Sequence, residues 1–230
     1  MSLQDPEFDK FKRAFKSQQF ESALQSIKKL LEKYPHSFAL RWHHARVLEK
    51  LERFAEARSA LTKVLKLRGD FVPALIMQVQ LDFHEHEADA ETDIFSEDPI
   101  QTQQERFEAI EERLYKILSI DPNAVDALHM LSGLLRGHEL DAHLAKADQL
   151  LNRAISLAPE RVDLLEDRAN NFLSKAVVQS ELSESETHSP NIIGTFSGMH
   201  YYRDMLEQAL ADFEKCYALS HQHRYGLRVG

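Results

Sequence analysis

Twelve histidines, 37 carboxylates and a single thiol are the groups in this 230-residue sequence with the means to do chemistry. His84 and His86 stand beside Glu85, Glu87 and Asp89, a set of nitrogen and oxygen donors that suits a divalent cation only if the segment folds back on itself. His43 and His44 are adjacent, and adjacent side chains on a helix diverge, so this pair is a poor chelate. The sequence GTFSG at 194–198 departs from the nucleophile elbow, and Ser197 has no identifiable base. Cys216 lies on a helical apolar stripe and reads as a small core residue rather than a nucleophile. With no HExxH pattern and no glycine-rich phosphate loop, the residues point away from an enzyme, and neither a metal nor a cofactor is expected.

Charge narrows the partners. The chain carries 28 Lys and Arg against 37 Asp and Glu, a formal −9, which argues against general nucleic-acid binding. The charge is unevenly spread: residues 1–80 hold fifteen basic and nine acidic residues, whereas residues 81–230 hold thirteen and twenty-eight. A lone cysteine excludes a disulfide scaffold. No basic leader followed by an apolar run opens the chain, and no run of eighteen apolar residues follows, so a soluble cytoplasmic protein without membrane contact is expected.

The elements that must position any site are helices. Asp5 and Pro6 offer a start, Phe8, Phe11 and Phe15 form a stripe, and Phe20, Ala23, Leu24, Ile27, Leu30 and Leu31 form a second one ending near Tyr34 and Pro35. Residues 37–70 repeat the arrangement: Leu40, Trp42, Ala45, Val47 and Leu48, then Phe54, Ala57, Leu61, Val64 and Leu65, closing at Gly69, 34 residues after Pro35. A third unit opens at Phe71–Pro73 and is interrupted by eight acidic residues and no Lys or Arg between Asp82 and Asp98, before Ile110, Leu114 and Ile117 resume the pattern. A fourth pairs Ala127, Leu128, Leu131 and Leu135 with Ala147, Leu151, Ala154 and Leu157, and its Gly133 suggests close helix packing. A fifth pairs Leu164, Leu165, Ala169 and Phe172 with a second helix at Tyr201–Leu219, in which Ala209, Phe213, Cys216 and Leu219 face the core. The segment between them contains polar SELSESETHSP and apolar IIGTF.

A repeated step of this size, with Phe20 and Phe54 at the turn, Ala23 and Ala57 at the helix contact, small Ala45 in a first helix and Pro35 at the end, resembles the tetratricopeptide repeat family. The expected fold is all-α: a right-handed alpha-alpha solenoid of about five hairpins over residues 5–220, with insertions at 84–103 and 179–200 and a short tail or truncated cap at 221–230.

The resemblance implies that first helices line an inner groove, and that the protein is a noncatalytic scaffold or adaptor. Phe8, Lys12, Phe15, Lys16, Trp42, Arg46, Lys50, Ile76 and Met77 then fall toward that groove, a basic and aromatic surface suited to an acidic-hydrophobic peptide or partner protein. Each named aromatic also has a use in packing. Family members that grip a terminal carboxylate use paired lysines, an arginine and asparagines; Phe8, Lys12, Ile76 and Gln80 supply only part of that set. Self-association through the end helices is the alternative, and a nucleic-acid module resting on the basic residues of 10–33 is a weaker one.

Overall fold

The computed structural model describes the backbone of residues 5–90, 99–136, 141–186 and 192–226, and the side chains of 5–84, 104–136, 143–176 and 203–221. Ten helices account for this backbone, and neighbouring helices pair into hairpins. They fall into two compact units, Met1–Ile120 and Asp121–Gly230.

Unit 1 contains α1 (Pro6–Lys16), α2 (Phe20–Lys33), α3 (Phe38–Lys50), α4 (Phe54–Leu67), α5 (Val72–Ala90) and α6 (Pro99–Ile120). The Asp5 carboxylate accepts the Glu7 amide at 3.0 Å and Pro6 fills the first helical position, so the sequence signals for the start of α1 act as expected. Both hairpin turns close in the same way. Gln18 and Glu52 each take φ 57°, and the next amide reaches back into the preceding helix, Gln19 to Ala14 O at 2.9 Å and Arg53 to Leu48 O at 3.0 Å. A second bond, Gln18 to Phe15 O and Glu52 to Glu49 O, completes a Schellman motif at each turn. Inside the hairpins Ala23, Ala45 and Ala57 are fully buried, so backbones approach closely while Ile27, Leu30, Leu40, Leu48 and Leu61 fill the layer between them.

The third hairpin of unit 1 is fastened differently. Asp82, read from the sequence as the opening of an acidic interruption, is buried on α5 and accepts both Arg58 of α4 and Arg113 of α6. Arg58 also donates to the Leu81 carbonyl at 3.2 Å. Helix α5 continues to Ala90 and α6 begins at Pro99, so the expected insertion at 84–103 includes helical backbone at both ends; residues 91–98 and the side chains of 85–103 lie outside the described residues.

Unit 2 contains α7 (Val125–Arg136), α8 (Asp141–Leu157), α9 (Val162–Glu186) and α10 (Ile192–Gly226). Leu128, Leu131 and Leu135 of α7 pack in the core with Leu144, Ala147 and Leu151 of α8 and with Leu164, Leu165 and Ala169 of α9. Helix α10 starts earlier than the sequence places it, so IIGTF at 192–196 lies in helical backbone, and α9 carries the SELSESE part of the polar SELSESETHSP stretch; the side chains of both stretches lie outside the described residues. The tail 227–230 also lies outside them.

Two packing expectations are corrected here. A Cβ added to Gly133 would meet nothing within 4 Å, so no close approach requires that glycine. Phe213 is turned outward, and the inward position beside it belongs to Asp212, 5% exposed, drawn into the α9 interface by Arg168. Arg168 donates through Nε and Nη2 to the two Asp212 oxygens at 2.8 and 2.7 Å, a bidentate geometry that fixes both planes. Cys216 is buried as expected, its thiol donating to the Val162 carbonyl at 3.6 Å, and burial pushes its pKa up.

Candidate functional site

The candidate surface is built by α1, α3 and the start of α5. On α1, spacings of three and four residues put Phe8, Phe11, Lys12 and Phe15 on neighbouring positions. Phe11 is buried, whereas Phe8 and Phe15 are half-buried and carry cations on their faces: the Lys12 ammonium 4.5 Å from the Phe8 centroid, and the Arg46 guanidinium of α3 5.0 Å from that of Phe15. Each such contact contributes about 0.5–1 kcal/mol at an exposed site. Trp42 is half-buried and meets Phe71 edge-on at 5.3 Å; Phe71 meets Phe38 at 4.9 Å.

Of the residues expected to line the surface, the structure thus joins Lys12 to Phe8 and Arg46 to Phe15. Lys16 and Lys50 are exposed; Lys50 lies 3.3 Å from Glu49, and Lys12 is also 3.7 Å from Asp9. Ile76 and Met77 are each 8% exposed, buried rather than at the surface.

Three features of this region escape a sequence reading. His43 sits between α1 and α3, 5.2 Å from Phe11 and 6.3 Å from Phe8, acting as a fourth ring in the aromatic row. Burial, with a smaller contribution from Arg46, lowers its pKa and favours the neutral ring. Arg68 lies over both Phe38 and Phe71, at 5.2 and 5.5 Å. His44 faces the other side of α3, where its Nε2 has no hydrogen-bond partner and lines a cavity of about 240 Å³ with Arg41, Glu56, Ser59 and Lys63. Burial lowers its pKa as well, with Lys28 adding to the effect. The two histidines point apart, as adjacent helical residues must, and signals for all three features exist only as ordinary polar positions in a helical pattern.

Metal chemistry has no described support. His84 stacks on Phe54, with ring centroids 5.2 Å apart and planes 8° from parallel, and the side chains of Glu85, His86, Glu87 and Asp89 lie outside the described residues. Among the described residues, no group of three or more His, Cys, Asp or Glu is arranged to hold a metal ion. Among the same residues, no helix is long and apolar enough to cross a membrane.

Unit 2 carries its polar chemistry between helices. His129 of α7 lies 2.6 Å from the Asp167 carboxylate of α9, and Arg136 donates to the Asp167 carbonyl at 2.9 Å. The His129 hydrogen bond, ahead of other causes, holds the Asp167 pKa down. Lys175 and Asn171 of α9 both donate to Asp148 of α8, and Arg161 bridges Asp126 and Asp163. The hydrogen bond from Arg161 is the largest cause that lowers the Asp163 pKa.

A tetratricopeptide repeat model matches residues 14–75, the segment running from the end of α1 to the start of α5. Solved structures of similar fold match the chain at low sequence identity. MamA residues 41 to the end, from Desulfovibrio magneticus RS-1, is 15% identical, with a TM-score of 0.57 over 94% of each chain. A crystal structure of MamA is 12% identical, with a TM-score of 0.55 over 94% of this chain and 96% of that one. TTC0263, a thermophilic tetratricopeptide protein of Thermus thermophilus, is 12% identical, with a TM-score of 0.56 over 85% of this chain and 95% of that one. Curated protein sequences contain no match. At these identities the likeness is one of fold.

Proposed function

We propose that this tetratricopeptide repeat protein is a noncatalytic binding scaffold whose α1–α3–α5 surface takes an acidic peptide with apolar side chains. The observation that carries the reading is the pair of cations held over half-buried rings, Lys12 on Phe8 and Arg46 on Phe15. A carboxylate arriving there meets a positive charge beside an apolar ring face, and an apolar neighbour on the same peptide can cover Phe15 or Trp42. Lys16 and Lys50 add long-range attraction, while Ile76 and Met77 support the floor. Charge draws the peptide in; desolvation of the rings supplies most of the affinity.

Trp42 is the one tryptophan, so its fluorescence reports this surface directly. Titration with a peptide of about ten residues alternating Glu with Leu and Phe is expected to give a saturable change, weakened about tenfold by Lys12→Glu with Lys16→Glu and Lys50→Glu. Arg46→Gln, which removes the cation over Phe15, is expected to weaken it as well. Equal binding by the wild type and both variants overturns the proposal.

A further inference from the structure

Exposed apolar side chains on this molecule divide into two kinds. Among the described residues Leu67, Tyr115, Ile120 and Leu157 stand singly, all but Tyr115 at the last position of a helix, and such single exposures are ordinary. On α10, by contrast, Leu210, Phe213 and Tyr217 are 59%, 36% and 67% exposed, and half-buried Leu206 precedes them. Their spacing of four, three and four residues makes a continuous seam about 16 Å long, at 1.5 Å per residue. The seam lies about a quarter-turn from the face that α10 already buries against α9, formed by Met205, Ala209, Asp212 and Cys216. Helix α10 is therefore apolar on two adjacent faces, and one of them has no described neighbour.

The charges around the seam indicate what covers it. Glu207 and Glu214 follow its outer edge, with Glu207 shared with Arg203 at 2.8 Å. Unit 2 as a whole has ten Lys and Arg against sixteen Asp and Glu. A second copy of α10 is a poor occupant, since antiparallel pairing of the seam with itself sets Glu207 against Glu214 of the other copy twice.

From the row of Leu206, Leu210, Phe213 and Tyr217 and its acidic edge, we infer that α10 is a docking site for a basic amphipathic helix. The partner helix presents leucine-like residues at alternating steps of three and four, and Lys or Arg on the flank that meets Glu207 and Glu214. The four-three-four spacing favours a helical over an extended occupant, because knobs so placed fit the holes of a facing helix. This site is separate from the α1–α3–α5 surface and of opposite charge, so either reading can fail while the other stands.

The test uses the full chain and a labelled amphipathic peptide of about 20 residues, made of Leu at seam positions and Lys elsewhere. Fluorescence anisotropy is expected to show saturable binding, weakened about tenfold by Leu210→Ser with Phe213→Ser, and also weakened by Glu207→Lys with Glu214→Lys. Binding of a Leu/Glu peptide, which the α1–α3–α5 surface takes, is expected to be unchanged by Leu210→Ser with Phe213→Ser, and Lys12→Glu is expected to leave binding of the Leu/Lys peptide unchanged. The exposed positions permit both double variants to fold, which circular dichroism verifies. Leu/Lys binding unchanged in the two variants, or Leu/Glu binding weakened equally by Leu210→Ser with Phe213→Ser, overturns the inference. So does sedimentation equilibrium showing a wild-type dimer that Leu210→Ser with Phe213→Ser converts to monomer, because a second copy then covers the seam.

Discussion

The hairpins of α1–α4 and the helices of unit 2 are held by different physics. Between α1 and α4 the joints are aromatic and aliphatic: Phe11 against His43, Phe38 against Phe71, and buried alanines that let the leucines mesh. In unit 2 an apolar layer is also present, but each contact of α9 with a neighbouring helix has a polar fastening, Asp167 toward α7, Asp148 toward α8 and Asp212 toward α10. An apolar joint takes its strength from area and tolerates a shift of register. A carboxylate gripped by arginine takes its strength from geometry, and a one-residue shift breaks it. The first kind supplies stability cheaply; the second specifies which turn of one helix meets which turn of another.

That contrast can be broken at either end. Leu61→Ala, at a site 1% exposed in the aliphatic layer, is expected to cost about 3 kcal/mol in urea unfolding followed by Trp42 fluorescence, the loss of transfer energy plus a cavity. A cost below about 1 kcal/mol would mean that the layer collapses around the gap, and that its packing is less specific than drawn here.

Asp212→Ala is expected to cost about 2 kcal/mol by leaving Arg168 without its bidentate acceptor, read as a lowered midpoint of thermal unfolding by circular dichroism. Exchange of the pair, Arg168→Asp with Asp212→Arg, is expected to recover part of that loss. If Asp212→Leu proves as stable as the wild type, the fastening serves specificity alone.

Acid separates the two regions further. The lowered pKa of His43 means that the folded state prefers the neutral ring, so its contribution is fully present above pH 6.5, the ordinary value, and is lost as the pH falls below it toward the folded value. His44 acts in the same direction. Asp163 and Asp167, held below 3.8, contribute above that pH and lose their share only in stronger acid. Trp42 fluorescence is expected to report weakening of unit 1 as the pH falls below 6.5, and His43→Phe to flatten that dependence. Over the same interval the methyl resonances of unit 2 are expected to hold.

The smallest effect tests the corrected packing at Gly133. Because the space beside it is open, Gly133→Ala is expected to raise stability by about 0.5–1 kcal/mol through helix propensity, measured as an increased midpoint in urea. Destabilisation would show that α7 does need the close approach its sequence suggested.

Legibility in the sequence followed the same division. Phe20, Ala23, Phe54 and Ala57 announce their hairpins because apolar residues at helical spacing are rare on a solvent face, and Ala23 and Ala57 are buried as their pattern demands. Asp82, Asp148, Asp212 and Arg168 read as solvent residues, since a sequence does not tell a charge facing water from one facing its partner. Phe213 misled for the complementary reason: an aromatic at a near-core position looks inward until a neighbouring ion pair claims the place. At the candidate surface, the family resemblance pointed to Phe8, Lys12, Phe15 and Arg46, but only three dimensions show which cation lies on which ring. His43 was weighed as a metal ligand and acts as an aromatic neighbour.

The two turns at Gln18 and Glu52 carry a consequence for how such a chain can change over time. Each is closed by main-chain amides and carbonyls, with the side chain at the left-handed position outside the bonding pattern. Glutamine stands at one and glutamate at the other, and the geometry is the same. The corner of the hairpin is therefore written in peptide groups, and residues that tolerate the left-handed region, such as Gln, Glu, Asn or Gly, can exchange there without unfolding it, whereas β-branched residues and proline are disfavoured. Variation is free to accumulate on the surface helices, where new partners are found, while the step from one repeat to the next stays fixed.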